Sequence, residues 1–202
     1  ATISALGRPF HVVSPGIGIK KYPTCYLNHR AIDATLRIVT SHNVLPEEVD
    51  GVTVMIPYEG WVNTMDLDSG LRGKFSLQYN ISEAILTRNV TIESFEDAAV
   101  NRPEAREMME MVQLIVDPSI PSEYSNASNR VTLSLKNGNV YTERIDVPHG
   151  DWDDPLSVDE VEAKYMDNAV RVLSRSDCQI VIDLIQHLED LEDINGLAAL
   201  YS

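Results

Sequence analysis

Between Lys20 and Arg30 the chain reads K-K-Y-P-T-C-Y-L-N-H-R, and it gathers two lysines, a cysteine, a histidine and an arginine in one short stretch. These residue types suit a particular chemistry. Lysine and arginine hold carboxylates and other small anions. Histidine takes up or returns a proton near neutral pH. The stretch runs through a proline-bent loop into the start of a helical pattern, where backbone N–H groups and the helix dipole also favour anions. A second cationic pair, Arg72 and Lys74, precedes a segment carrying Tyr79. If the two stretches converge, Lys20, Lys21, Arg30, Arg72 and Lys74 supply charge for carboxylates. His29, Lys20 and Tyr79 are then the proton-transfer candidates, with Cys25 beside them. Each has a plainer reading: a solvated cation for the lysines and arginines, a small buried apolar residue for Cys25, a capping or packing residue for His29, a core tyrosine for Tyr79.

The charge distribution sharpens the contrast. The 202 residues carry a formal net charge of -15, which argues against nucleic acid or an anionic membrane as partner. Yet up to Pro46 the chain has Arg8, Lys20, Lys21, Arg30 and Arg37 against Asp33 alone. A locally basic segment on an acidic protein is what a site for a small anion needs. Two cysteines, Cys25 and Cys178, are too few for a disulfide scaffold and suit a reducing compartment. The expectation is cytoplasmic, with the mitochondrial matrix equally compatible. No apolar run reaches the roughly 18 residues of a membrane span, and no secretory signal is visible.

The elements that must position these residues follow from periodicity. The segment up to Gly18 is broken by Pro9, Pro15, Gly16 and Gly18 and reads as irregular. Asn28 is placed to cap a helix to about Ser41, with Ile32, Leu36 and Val39 at helical spacing. Pro46-Glu-Glu is a turn. Val49 to Pro57 alternates, with Val52, Val54 and Ile56 on one face, and reads as a strand. Gly60 to Gly73 reads as a loop. Ser76 to Arg88 and Pro103 to Val116 read as helices, the second with Met108, Met111, Val112 and Ile115 as an apolar stripe. Arg130 to Val147 is a hairpin turning at Asn137-Gly138. The acidic, turn-rich Pro148 to Pro155 is a candidate boundary. Beyond it, the capping box at Ser157 and Glu160 opens a helix to about Leu173. Cys178 to Leu188 and Asp193 to Tyr201 follow as short helices, with E-D-L-E-D as a solvated junction. The fold class expected is α+β. The chain contains no G-x-S-x-G, H-E-x-x-H or paired C-x-x-C, so serine and metal hydrolysis have no sequence support.

The stretch I-K-K-Y-P-T-C-Y-L-N-H-R-A-I-D-A resembles the characteristic segment of the MmgE/PrpD family, K-x-Y-P-x-C-x-x-x-H-x-x-x-D-A. Three further blocks resemble that family in the right order: G-K-F-S-L-Q-Y, the K-N-G hairpin followed by D-V-P-H-G-D-W-D-D-P-L-S, and the closing L-E-D-L-E-D-I-N-G-L-A-A-L. The resemblance implies an α+β lid over residues 1–150, of which 1–17 are a lead-in. Residues 151–202 would be helices that pack on an all-helical domain lying upstream. The start at Ala1 reads accordingly as a cut from a longer chain.

Members of this family dehydrate 2-methylcitrate, decarboxylate cis-aconitate or epimerise iminodisuccinate, without metal or nucleotide cofactor, and tend toward homodimers. Dehydration of a 2-methylcitrate-like substrate is the first expectation here, with decarboxylation and epimerisation as alternatives. Lys20 matches the family lysine ahead of the proline, His29 the later histidine and Tyr79 the tyrosine ending K-F-S-L-x-Y. Cys25 stands where decarboxylase-like members carry a catalytic-site histidine, so this role departs from the pattern. Lys21, Arg30, Arg72 and Lys74 are carried as substrate-binding candidates. The non-catalytic alternative is a polycarboxylate-binding or dimerisation module.

Overall fold

The structure is a computed structural model and describes residues 7–57, 60 and 62–200. It divides into two compact units, Ala1–Pro155 and Leu156–Ser202.

The first unit is α+β. Helix α1 (His29–Ser41) is followed by strand β1 (Val49–Ile56), the short helix α2 (Gly70–Gly73), α3 (Leu77–Thr87), α4 (Asp97–Val100) and α5 (Pro103–Glu110). Strands β2 (Val112–Val116), β3 (Asn129–Leu135) and β4 (Val140–Ile145) complete it. The sheet order is β2-β1-β3-β4. β1 runs parallel to β2 and antiparallel to β3, and β3 and β4 form the hairpin. Alternation decides the buried face: Val52, Val54 and Ile56 of β1 and Val131, Leu133 and Leu135 of β3 point into the core. α1 and α3 cover that face. α3 is buried from Leu77 through Ile85 because a second core packs against it. Tyr22, Ile32, Leu67, Tyr79, Phe95 and Met109 belong to that second core. A helix covered on both sides has no solvent face, so α3 also buries Gln78, Asn80, Ser82 and Glu83, each of which makes a hydrogen bond.

Three expectations need correcting. Pro103–Val116 is not one helix. α5 ends at Glu110, and Val112–Val116 pairs in register with Val52–Ile56 as an edge strand. Met108 is buried in the helix, whereas Met111 and Ile115 are each 38% exposed, so the supposed stripe is two elements read as one. Gly60–Gly73 is not loop throughout, because it ends in α2. That helix sits hard against the chain before α4: a Cβ on Gly70 would meet the Phe95 carbonyl oxygen at 1.7 Å, and the Gly70 N–H donates to Asp97 Oδ1 at 2.7 Å. Asn28 does not cap α1 with its side chain. A 3-10 turn, Tyr26–Asn28, precedes the helix and the Asn28 amide is used elsewhere.

The second unit holds α6 (Val158–Ala169), α7 (Arg175–Gln186) and α8 (Asn195–Ala199). The capping box forms as expected: Glu160 N–H donates to Ser157 Oγ at 3.3 Å and Ser157 N–H to Glu160 Oε2 at 2.9 Å. α6 stops short of Leu173. α7 starts earlier than Cys178 because Ser174 caps it, accepting from the Asp177 N–H at 3.1 Å. Tyr201, the expected end of the last helix, lies outside the described residues. Within this unit an apolar groove of about 450 Å3 opens between helices, lined by Val158, Val161, Tyr165, Ile182, Ile185 and Leu197 among others.

Candidate functional site

The two cationic stretches converge. The Lys74 carbonyl accepts from three donors of the Lys20–Asn28 stretch: Cys25 N–H at 2.9 Å, Thr24 Oγ1–H at 2.6 Å and Asn28 Nδ2–H at 3.3 Å. Asn28 also donates to Thr24 Oγ1 at 3.2 Å. Asn28 is fully buried and Thr24 nearly so, so these bonds are exchanged for water only at a cost. They fix the backbone of the turn after α2 against the loop before α1. Lys20 is exposed and its Nζ folds back to donate to the Thr24 carbonyl at 3.1 Å. Lys74 is half-buried with its Nζ 5.7 Å from the Phe95 ring centre. Arg72 is exposed and lines an open pocket of about 540 Å3 with Asn63, Thr64 and Phe75. Cys25 is a free, half-buried thiol packed against the sheet core.

Lys21 faces an adjoining cleft of about 500 Å3. Asp33, Arg37, His149 and Asp154 share that cleft, so its lining carries both signs of charge. The Lys21 ammonium lies 5.7 Å from the Tyr22 ring centre.

The other candidates lie below the surface. His29 has no exposed area. Its ring sits between Tyr22 and Tyr26, both edge-on, with centres 5.2 and 4.8 Å away. The tyrosines are themselves held: Tyr22 donates to Asp33 Oδ1 and Tyr26 to Asp151 Oδ2, each at 2.7 Å. Arg30 is buried as well. Its Nε donates to the Asp146 carbonyl and an Nη to the Tyr124 carbonyl, both at 2.8 Å, and its guanidinium stacks 4.2 Å over the Tyr124 ring. It ties α1 to the end of the hairpin. Tyr79 is fully buried, its hydroxyl donates to the Ser94 carbonyl, and its ring meets Phe95 edge-on at 5.9 Å. The first turn of α1, His29 to Ala31, is buried too, so its amides face protein rather than a solvent-borne anion.

The electrostatics follow from burial. Desolvation raises the Tyr79 phenol well above its ordinary range, and raises Tyr26, whose bonds with Tyr124 and Asp151 add to the effect. Asp33 is raised by burial, partly offset by the Tyr22 hydroxyl, the His149 N–H and the Lys21 charge.

Sequence reasoning missed Asp33, Asp151, Thr24 and Asn28 as organisers of this region. Asp33 had a signal: it follows His29 by four residues and shares its helix face. Asp151 had none beyond its place in an acidic turn. Among the described residues no cluster of histidine, cysteine and carboxylate side chains is arranged to hold a metal ion, and no helix is long and apolar enough to cross a membrane.

Comparison with known proteins adds a lineage to this geometry. Residues 22–190 match the MmgE/PrpD C-terminal domain. Lys20 and Lys21 lie just ahead of the matched span. A cis-aconitate decarboxylase of Mus musculus is 31% identical over 191 residues, covering 91% of this chain. A cis-aconitate decarboxylase of Homo sapiens is 29% identical over 189 residues with the same coverage. The chain spans 39% of the length of each of these relatives.

Proposed function

Since the chain belongs to the MmgE/PrpD family, we propose that it is the C-terminal part of a lyase acting on a small di- or tricarboxylate, with decarboxylation of cis-aconitate as its first candidate reaction. Dehydration of 2-methylcitrate, the expectation drawn from the family as a whole, has no support from the two relatives, both of them cis-aconitate decarboxylases. The observation that carries the reading is the convergence of the Lys20 loop and the Arg72–Lys74 turn on the Lys74 carbonyl. It supports a corner where two cation-bearing segments from distant parts of the chain meet through their backbones, with Lys20 and Arg72 exposed and Lys74 half-buried.

The chemistry asks two things of such a corner. Carboxylates must be held, and the electron pair left on carbon when the C–C bond to carbon dioxide breaks must be spread into a neighbouring carboxylate or alkene and then protonated. Lys20, Arg72 and Lys74 are proposed to hold carboxylates and stabilise the developing charge. A lysine also serves as proton donor when its pKa is lowered in a closed site. His29 and Tyr79 are proposed as supports, because a fully buried ring and a phenol engaged by a backbone carbonyl do not face a solvent-borne substrate. Arg30 is given the same role. Cys25 stands where decarboxylase-like members carry a histidine, and this departure favours a second reading: proton abstraction next to a carboxylate without loss of carbon dioxide, as in epimerisation or dehydration.

The test is a panel assay of the full-length protein with cis-aconitate, 2-methylcitrate and iminodisuccinate. Carbon dioxide release from cis-aconitate supports the first reading, and turnover of another panel member the second. Binding of all three without turnover of any sinks the enzymatic proposal and leaves a polycarboxylate-binding module.

A further inference from the structure

We infer that the cleft between α1 and the turn from His149 to Asp154 is a binding site for a small zwitterion, an α-amino acid being the kind its charges fit. The site is separate from the lyase reading: Lys20, Arg72 and Lys74 are not among the residues that line it.

Helix spacing builds one wall. Asp33, Arg37 and Thr40 follow one another at four and three residues along α1 and so share a face. The turn adds His149 and Asp154, and the stretch before α1 adds Lys21 and Tyr22. The cleft holds about 500 Å3, ample for a molecule of amino-acid size.

Much of its charge is already matched. Asp33, 5% exposed, takes the Tyr22 hydroxyl on Oδ1 at 2.7 Å and the His149 N–H on Oδ2 at 2.9 Å. The Lys21 charge acts on it as well. His149 Nδ1 meets Asp154 Oδ2 at 3.2 Å. Two groups are left over. Among the described residues the Arg37 guanidinium has no hydrogen bond or ion pair, and Asp154 Oδ1 accepts none. They line the same cleft without pairing with each other.

An open cation and an open anion in one cleft select the ligand by exclusion. A dianion that satisfies Arg37 brings its second charge toward Asp33 and Asp154. A dication that satisfies Asp154 meets Lys21 and Arg37. A singly charged ligand leaves one of the two groups unmatched. A zwitterion satisfies both. Its carboxylate takes the planar guanidinium fork, and its ammonium donates to Asp154 Oδ1, both as charge-assisted bonds. Thr40 and Ser41, in the last turn of α1, also line the cleft and offer hydroxyls to a polar side chain. The negative end of the helix dipole there weighs further against a ligand of net negative charge.

The experiment titrates the full-length protein with L-amino acids, one at a time, in a calorimeter. The tightest binder is then compared with two counterparts, one lacking the amino group and one lacking the carboxylate; for L-alanine these are propanoate and ethylamine. We expect each counterpart to bind about tenfold more weakly or worse, the cost of one charge-assisted bond. Arg37→Ala and Asp154→Asn are each expected to weaken the amino acid about tenfold. Their selectivities are expected to part: Arg37→Ala loses the preference over the amine, and Asp154→Asn the preference over the acid. A merely structural role moves neither ratio, so unchanged ratios in both variants overturn the site. Binding of the acid as tight as that of the amino acid overturns it too, since the cleft then takes anions. Failure of every amino acid to bind at concentrations up to about 10 mM also overturns it. Arg37 is exposed, so if Asp154→Asn does not fold, Arg37→Ala carries the test.

Discussion

At the scale of single residues, the site separates cations that face water from those that hold the fold. Lys20→Ala in the full-length protein is expected to lower kcat/KM for the true substrate about a hundredfold or more, the usual loss when a preorganised group opposite developing charge is removed; steady-state kinetics check it. Arg30→Ala is expected to act on stability instead. It strips the Asp146 and Tyr124 carbonyls of their buried donors, which costs about 3 kcal/mol in a denaturant titration. Asp33 sets a pH dependence. Its folded pKa is raised above the ordinary 3.8, so the folded chain binds its proton more tightly than the unfolded chain does. Stability therefore falls as pH rises from about 3.8 through the raised value. Asp33→Asn is expected to flatten that part of a plot of urea midpoint against pH. The residue types of this region were legible in the sequence, because charge and motif spacing mark them. Burial was not: His29 and Tyr79 read as proton-transfer groups and Arg30 as a substrate-binding cation by type, and only the packing of Tyr22 and Tyr26 on His29, of Tyr124 on Arg30 and of the second core on Tyr79 puts them out of solvent.

At the scale of elements, legibility tracked period and local chemistry. β1, the β3–β4 hairpin and the Ser157 capping box each carry an unambiguous local signal, and each is present. β2 was misread because Met108, Met111, Val112 and Ile115 fit a helical stripe. A short apolar run such as V-Q-L-I-V is decided by its neighbours, and here β1 offers an open edge in register with it. α2 was missed because it is a single turn whose N-cap residue, Ser69, makes no capping bond; its place depends on the backbone of Phe95, distant in sequence. That dependence gives a prediction. Gly70→Ala is expected to destabilise the chain by about 3 kcal/mol, because the obstacle is a carbonyl that cannot swing away as a flexible side chain would. Thermal unfolding of the variant beside wild type measures it. The loss should extend to the Cys25–Lys74 bond, visible as faster exchange of the Cys25 amide.

At the scale of the whole molecule, the second unit leaves much apolar surface open. Val158 and Ile185, which line its groove, are at least half exposed, as are Val172 and Ile194 of the same unit; a contiguous apolar patch of this kind marks a face that something covers. The 202-residue chain by itself is expected to bind an apolar fluorescent dye strongly. If the chain is the C-terminal part proposed above, a form at its relatives' full length is expected to bind it weakly, and equal binding by both would mean that no upstream region covers this face. β1 and β2 run parallel, so the chain cannot join them by a hairpin and must first travel through residues 57–111, which hold α2 to α5 and the Arg72–Lys74 turn. Only the β3–β4 hairpin is local: Val52 of β1 pairs with Val112 of β2 and with Leu133 of β3, so both pairings of β1 close over that detour. Both form only once the detour has compacted, and pairings that distant in sequence form late. Until then β1 shows a bare edge to other chains. A mutation that loosens the site-bearing detour thus lengthens the time a newly made chain spends able to aggregate, and would show as lost yield before it showed as lost turnover.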